Sequence, residues 1–175
     1  MKNIFLTGRP GCGKTTVIKK TIALLGKVKL KGFYTIEMRS RGTRVGFQIT
    51  TLDGKHGILA HENLHSDKKV GKYGVCLKDI DAIIVPSIRP DRHTHLIIID
   101  EIGKMECYSE EFKKAAVQAV EYDSVVLGTI AIGGSPFIES FRRRPDIKLI
   151  EITRDNRDPL PQEITEIILK ELRKE

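Results

Sequence analysis

Residues Met1–Thr16 read MKNIFLTGRPGCGKTT, and the interpretation of this stretch decides the fold. Ile4-Phe5-Leu6, inside Asn3–Thr7, is an apolar run of the length of a buried strand. Gly8-Arg9-Pro10-Gly11-Cys12-Gly13-Lys14-Thr15 follows as G-x-x-x-x-G-K-T, and Val17–Leu25 then has the composition of a helix. A loop of this kind turns several backbone N–H groups into one concavity. It ends at a helix N-terminus, where unpaired amides and the helix dipole favour an anion. Glycine is needed because Cβ atoms would block the curl of the chain and its approach to phosphate oxygens. A glycine-rich turn without a ligand is the alternative, and the strand before it and the helix after it favour phosphate. The expected nucleotide-binding set is therefore Gly8, Arg9, Pro10, Gly11, Cys12, Gly13, Lys14, Thr15 and Thr16. Lys14 is assigned to the β- and γ-phosphates and a catalytic role, and the Thr15 hydroxyl to Mg²⁺. Cys12 reads as a small side chain that the loop tolerates.

The second decisive stretch is Leu96-Ile97-Ile98-Ile99-Asp100-Glu101. Four apolar residues, three of them β-branched, predict a strand buried on both faces. Two carboxylates at its carboxyl end lie where open α/β sheets place their ligands. With the loop at Gly8 this is a Walker B arrangement. Asp100 is expected to hold the Mg²⁺ shell, directly or through water, and Glu101 to polarise the attacking water as the catalytic base. Asp100, Glu101 and Gly103 complete the nucleotide-binding set.

Between these two stretches the period changes. Gly32–Arg39 and Val45–Thr50 read as strands joined by a turn at Ser40-Arg41-Gly42, and Asp53-Gly54 predicts a type I′ hairpin leading to Ile58-Leu59-Ala60. This is an antiparallel hairpin extension over 32–60. It either flanks the nucleotide or carries a second specificity, and the residues leave both open. His61–Gly74 reads as a mobile loop with at most a short strand. Leu77–Val85 reads as a helix that Pro86 and Pro90 end or kink.

Ser109-Glu110-Glu111 has the form of a helix start, with Phe112, Ala115, Ala116, Ala119 and Val120 as the inward face. Ser124–Ile132 is expected as a buried strand in which Thr129 either reaches the γ-phosphate or is a strand threonine satisfied locally. Ser135-Pro136 opens a short helix through Arg144, and Ile147–Thr153 is the last strand. Asn156-Arg157-Asp158-Pro159 either flanks the base or closes a turn, and Gln162–Arg173 is an amphipathic helix. Alternating strands and helices predict an α/β sandwich with a mainly parallel sheet, organised as one domain over 1–175.

With 175 residues, a net charge of +7 and three cysteines without a C-x-x-C pair, the composition indicates neither a disulfide framework nor a zinc site. No apolar run reaches the length of a membrane span, so the expected location is cytoplasmic, without a membrane partner. Monomer is the expected state. The basic balance permits a nucleic-acid partner without favouring one, since a phosphate-holding protein needs a positive field anyway. Abundant Lys and Glu with scarce Asn and Gln hint at a thermophile. Arg142, Arg143 and Arg144 are the candidates for an arginine acting on the transition state, with a basic helix end as the bland alternative.

The chain resembles the small thermophilic nucleoside-triphosphatases (THEP-type), a family that includes the human cancer-related nucleoside-triphosphatase. The resemblance rests on Gly8–Thr15, on Gly32-Phe33-Tyr34-Thr35 through Arg44-Val45-Gly46-Phe47, on Asp100-Glu101-Ile102-Gly103-Lys104-Met105-Glu106, and on Asn156-Arg157-Asp158. It implies a P-loop NTPase fold of recombinase-like order, with a strand between the phosphate-loop strand and the Walker B strand. It also implies Mg²⁺-dependent hydrolysis of several nucleoside triphosphates, ATP and GTP among them, to diphosphate and phosphate. The family's motif carries over at Lys14, Thr15, Asp100 and Glu101. A nucleotide or nucleoside kinase and a nucleotide-gated RNA- or DNA-binding module are the competing classes. Glu101 directly after Asp100 favours water as the acceptor.

Overall fold

The structure is a computed structural model that describes residues 2–174. The chain enters β1 (Asn3–Thr7), passes the glycine loop and continues into α1 (Lys14–Leu25). Strands β2 (Leu30–Ser40), β3 (Thr43–Thr51), β4 (His56–His61), β5 (Lys69–Val70) and β6 (Tyr73–Val75) follow. Next come α2 (Leu77–Asp79), a π-helical stretch Ile80–Ile84 and α3 (Val85–Ile88). The chain then forms β7 (Leu96–Ile102), α4 (Glu110–Glu121), β8 (Val125–Ile130), α5 (Pro136–Arg142), β9 (Ile147–Glu151) and α6 (Leu160–Leu172).

Among the described residues these strands form one sheet in the order β5-β6-β4-β3-β2-β7-β8-β1-β9. β1 runs parallel to β8 and β9, β8 to β7, and β7 to the first half of β2. β8 thus separates the phosphate-loop strand from the strand of Asp100, as the resemblance implies. β2 is the hinge of the two patterns: Leu30–Phe33 pair in parallel with β7, and the strand pairs antiparallel with β3 along Phe33–Ser40.

The apolar run of β7 divides by period two between two cores. Leu96 and Ile98 join Ile4 and Leu6 of β1 under α1 and α6, while Ile97 and Ile99 join Phe5 under α4 and α5. All seven are fully buried, and each such side chain contributes roughly 1.5–3 kcal/mol relative to exposure. Both faces of the parallel strands are covered, which leaves only their ends for polar groups. The carboxyl edge of the parallel strands is where the glycine loop and the Asp100–Glu101 pair emerge.

Several local expectations are met. Ser109 Oγ caps α4 by accepting from the Phe112 amide at 3.0 Å, and Ser135 caps α5 in the same way at 3.3 Å. The predicted face of α4 is buried at all five positions. Others are corrected. α1 begins at Lys14 rather than Val17, because Gly13 at φ 105° ends the curl of the loop and the next residue is already helical.

Pro86 does not end the helical region, which runs on to Ile88. The wide turn before it, closed by Val85 N–H donating to Ile80 O, gives the ring room without a donor. His61–Gly74 is a loop over 62–68, as expected, and its short strand β5 pairs with β6 as an edge hairpin with Gly71 at φ 58° in its turn. The type I′ geometry belongs to Arg41-Gly42, with φ of 48° and 80° between the paired Ser40 and Thr43. Asp53-Gly54 instead sits in a three-residue loop, Thr51 N–H donating to Lys55 O at 3.0 Å, with only Gly54 at positive φ. No helix among the described residues is long and apolar enough to cross a membrane.

Candidate active site

The glycine loop curls because three of its residues are in conformations L side chains avoid: Gly8 at φ 151°, Gly11 at 76° and Gly13 at 105°. A Cβ on Gly8 would stand 2.8 Å from Cys12 Sγ and 3.0 Å from Ile152 O. Cys12 therefore packs inside the curl, as the tolerance for a small side chain predicts. Lys14 crosses the mouth of the loop, its Nζ 3.0 Å from Gly8 O and 3.5 Å from Arg9 O.

Asp100 joins the loop to the far strand. Its carboxylate is buried, 2 % exposed, and takes Thr15 Oγ1 on Oδ2 at 2.7 Å and Thr129 Oγ1 on Oδ1 at 2.6 Å. Burial raises this carboxyl above the usual range, opposed by those two hydroxyls and by the charge of Lys14. Of the two readings of Thr129, the structure favours a threonine satisfied within the protein, though by a neighbouring strand rather than locally. Its hydroxyl is fully buried on Asp100, so it orients the carboxylate and does not reach a phosphate. Glu101 is half-buried on the cavity wall; burial raises its carboxyl, Lys14 opposes the rise and Asp100 adds to it.

Lys14, Thr15, Asp100 and Glu101 line one cavity of about 760 Å³, together with Pro10, Gly11, Gly13, Thr16 and Gly103. Of the loop positions in the expected set, Gly8, Arg9 and Cys12 lie outside this lining: Gly8 and Cys12 shape the curl, and Arg9 is exposed. The hairpins contribute the opposite wall through Thr35, Glu37, Arg44, Phe47 and Tyr73. The extension flanks the site rather than standing apart from it.

Glu106 is a cavity residue to which sequence reasoning gave no role. It is 4 % exposed and its carboxyl is pushed up to about 8, first by burial and then by Glu101, with the Gly103 and Glu106 amides opposing. Gly103 makes the approach possible: a Cβ there would be 2.9 Å from Glu106 Oε2 and 3.7 Å from the end of Glu101. The signal available in the sequence was a glycine between two acids in the Asp100–Glu106 run.

The three arginines of the run have different surroundings. Arg142 Nη1 donates to Thr7 Oγ1 at 2.9 Å and to Ala131 O at 3.0 Å, beneath the loop strand. Arg144 pairs with Asp146 at 2.8 Å and Glu121 at 3.1 Å, ahead of β9 and at the opposite edge of the sheet from the loop. Arg143 is exposed. Asn156 closes its turn, accepting from Thr153 N–H at 2.9 Å and donating to Glu151 O at 2.8 Å. Arg157 reaches the loop, its Cδ 3.9 Å from the Cβ position of Gly13.

A phosphate-loop strand, an acidic strand end two strands away and a helix rising from the loop define a P-loop nucleotide-binding α/β protein. A family model described as NTPase matches residues 3–165, and the chain belongs to that family. It is 46% identical over 166 residues to the nucleoside-triphosphatase THEP1 of Thermotoga sp. (strain RQ2), covering 94% of each chain. It is 36% identical over 179 residues to the cancer-related nucleoside-triphosphatase of Homo sapiens, covering 93% of this chain and 94% of that one. The crystal structure of THEP1 from the hyperthermophile Aquifex aeolicus superposes with a TM-score of 0.84 at 38% identity, covering 95% of this chain and 98% of that one.

Proposed function

We infer that the chain hydrolyses nucleoside 5′-triphosphates, ATP and GTP among them, to diphosphate and phosphate, with Mg²⁺, slow turnover and broad base tolerance. The observation that carries this is the 2.7 Å hydrogen bond between Thr15 and Asp100, which unites the phosphate loop with the acidic strand end in one cavity. The names of the relatives, nucleoside-triphosphatases in Thermotoga and in human, support the same activity. The donor set fits Mg²⁺: one hydroxyl and one carboxylate, both hard oxygen ligands, beside a loop that would supply phosphate oxygens. Bound there, the ion would neutralise charge on the β- and γ-phosphates.

The chain's own residues do the rest. The loop amides and Lys14 hold the triphosphate, and Lys14 stabilises the charge that develops as the terminal phosphoryl group leaves. Thr129 fixes the orientation of Asp100. Glu101 accepts a hydrogen bond from water and takes its proton. The water oxygen then bonds to the γ-phosphorus, and the bond to the β,γ-bridging oxygen breaks.

The engagement of Arg142 and Arg144 by other partners supports slow turnover, since intrinsic rates in this class without an arginine on the transition state are roughly 10⁻⁴–10⁻³ s⁻¹. Broad base tolerance is supported by Asn156, whose amide is engaged in its own turn rather than offered to a base.

Glu101→Gln is the test. Phosphate release should fall by about 10²–10⁴-fold while nucleotide affinity, measured by titration, stays close to the parent's. Equal loss of both would make Glu101 a structural residue and remove it as the base.

A further inference from the structure

The cavity continues past Glu101 beneath the hairpins, and the sheet order decides which end of a nucleotide can reach that region. Lys14 and the Thr15–Asp100 pair take the β,γ end of the triphosphate. Asp100 and Glu101 stand on β7, on the β2 side of the loop strand β1. A triphosphate held in this polarity has its nucleoside end on the other side of the loop, toward β9, where Arg157 comes against Gly13. The hairpin wall is therefore left beyond the γ-phosphate. A water nucleophile needs about 30 Å³ and a few polar partners, and no aromatic surface.

That wall is aromatic and already ordered. Phe47 and Tyr73 meet edge to face, 5.4 Å between centroids at 73°. The Arg44 guanidinium carbon lies 5.1 Å from the Phe47 centroid and 5.7 Å from that of Tyr73. Arg44 donates to Glu37 at 3.0 Å and to the Tyr73 hydroxyl at 3.1 Å, and that hydroxyl donates back to Arg44 O at 3.2 Å. Rings and a guanidinium plane held in this way suit the flat face of a heterocycle. The Glu37 carboxylate and Thr35 hydroxyl are acceptors for amino and imino hydrogens at its edge. Glu37 also accepts from Arg39 at 2.6 Å, so its carboxylate lies between two guanidiniums and is held in place by both.

We propose that this wall is a second ligand subsite, taking the base of a nucleoside beside the γ-phosphate. The proposal rests on the triphosphate being held in the loop in that polarity. Such an occupant excludes bulk water from the side on which Glu101 works.

Calorimetric titration tests it in two stages. The protein is first saturated with Mg²⁺ and a non-hydrolysable ATP analogue, then titrated with adenosine, guanosine, cytidine and uridine in turn. At least one nucleoside should bind one-to-one without displacing the analogue. Phe47→Leu and Arg44→Gln should each weaken that second event by about tenfold or more, with analogue affinity held within about twofold. Arg44 is exposed, so its substitution probes the wall without entering the core. The proposal is overturned if no nucleoside binds the filled protein, if nucleosides bind only by displacing the analogue, or if both variants bind as the parent does. Failure of the analogue itself to bind would instead remove the functional reading, and this proposal with it.

Discussion

The parallel strands β1, β7, β8 and β9 and the hairpin strands β2 to β6 reach the same cavity in different ways. Among the parallel strands both faces are buried under helices, so every functional group comes from a strand end: the loop after Thr7 and the pair Asp100–Glu101. Among the hairpins a single face is open, and functional groups come from the face itself. Thr35 and Glu37, two residues apart on β2, present their side chains to the cavity together. A strand end offers a few groups with backbone amides and a helix dipole behind them, which suits phosphate. An open face offers a broad array of side chains in place of a helix dipole and a row of amides, which suits shape and stacking. The division of labour between the halves follows from which surfaces the packing leaves free.

Substitutions on the two sides should differ in size of effect. Removing charge from the strand-end side should have the largest: Lys14→Ala should cost about 10³-fold in phosphate release with an unchanged far-ultraviolet spectrum. Retention of the parent's rate would place the phosphate chemistry elsewhere. Thr129→Val comes next. It removes a buried donor to Asp100 and should lower stability by roughly 1.5–3 kcal/mol, read by denaturant unfolding. A neutral result would mean that the two parallel strands do not share this carboxylate.

Glu106→Gln sharpens the comparison through pH. The Glu106 carboxyl is raised from 4.5 to about 8 in the folded protein, so the unfolded chain releases its proton first as pH rises. The parent's stability contribution from this group is therefore present at low pH and lost as pH climbs through that window. The glutamine variant lacks that loss, and its melting temperature should gain on the parent's from pH 5 to pH 8. A gap that stays constant across the range would refute a proton held at Glu106.

The smallest effect is expected at the edge remote from the cavity. Arg144→Ala breaks a partly exposed pair with Asp146 and Glu121 and should cost about 1 kcal/mol or less, leaving hydrolysis at the parent's rate. Loss of activity there would return the arginine run to the site.

Much of this was legible in the chain because the determinants are local. The glycines, lysine and threonine of Gly8–Thr15 act within one turn of backbone, and the β-branched run Ile97–Ile99 carries its own preference for a doubly buried strand. The serine caps at Ser109 and Ser135 act across three residues, and both were readable. What escaped were groups whose partners lie far away along the chain. Thr129 meets an aspartate 29 residues back, and Arg142 a threonine 135 residues away. Glu106 owes its raised carboxyl to burial beside Glu101, and neither cause is visible in a one-dimensional pattern.

The sequence by itself determined the glycine loop and the helix that rises from it, which strand ends in acid, and that helices and strands alternate around a largely parallel centre. Helix caps, turn hydrogen bonds and hydrophobic period act within a few residues and survive any arrangement of the rest. Only the tertiary structure decided which hydroxyl faces Asp100, that Arg144 stands at the far edge, and that the hairpins close over the cavity as an aromatic wall. Those outcomes depend on strand order and register, which bring together residues that share no local signal.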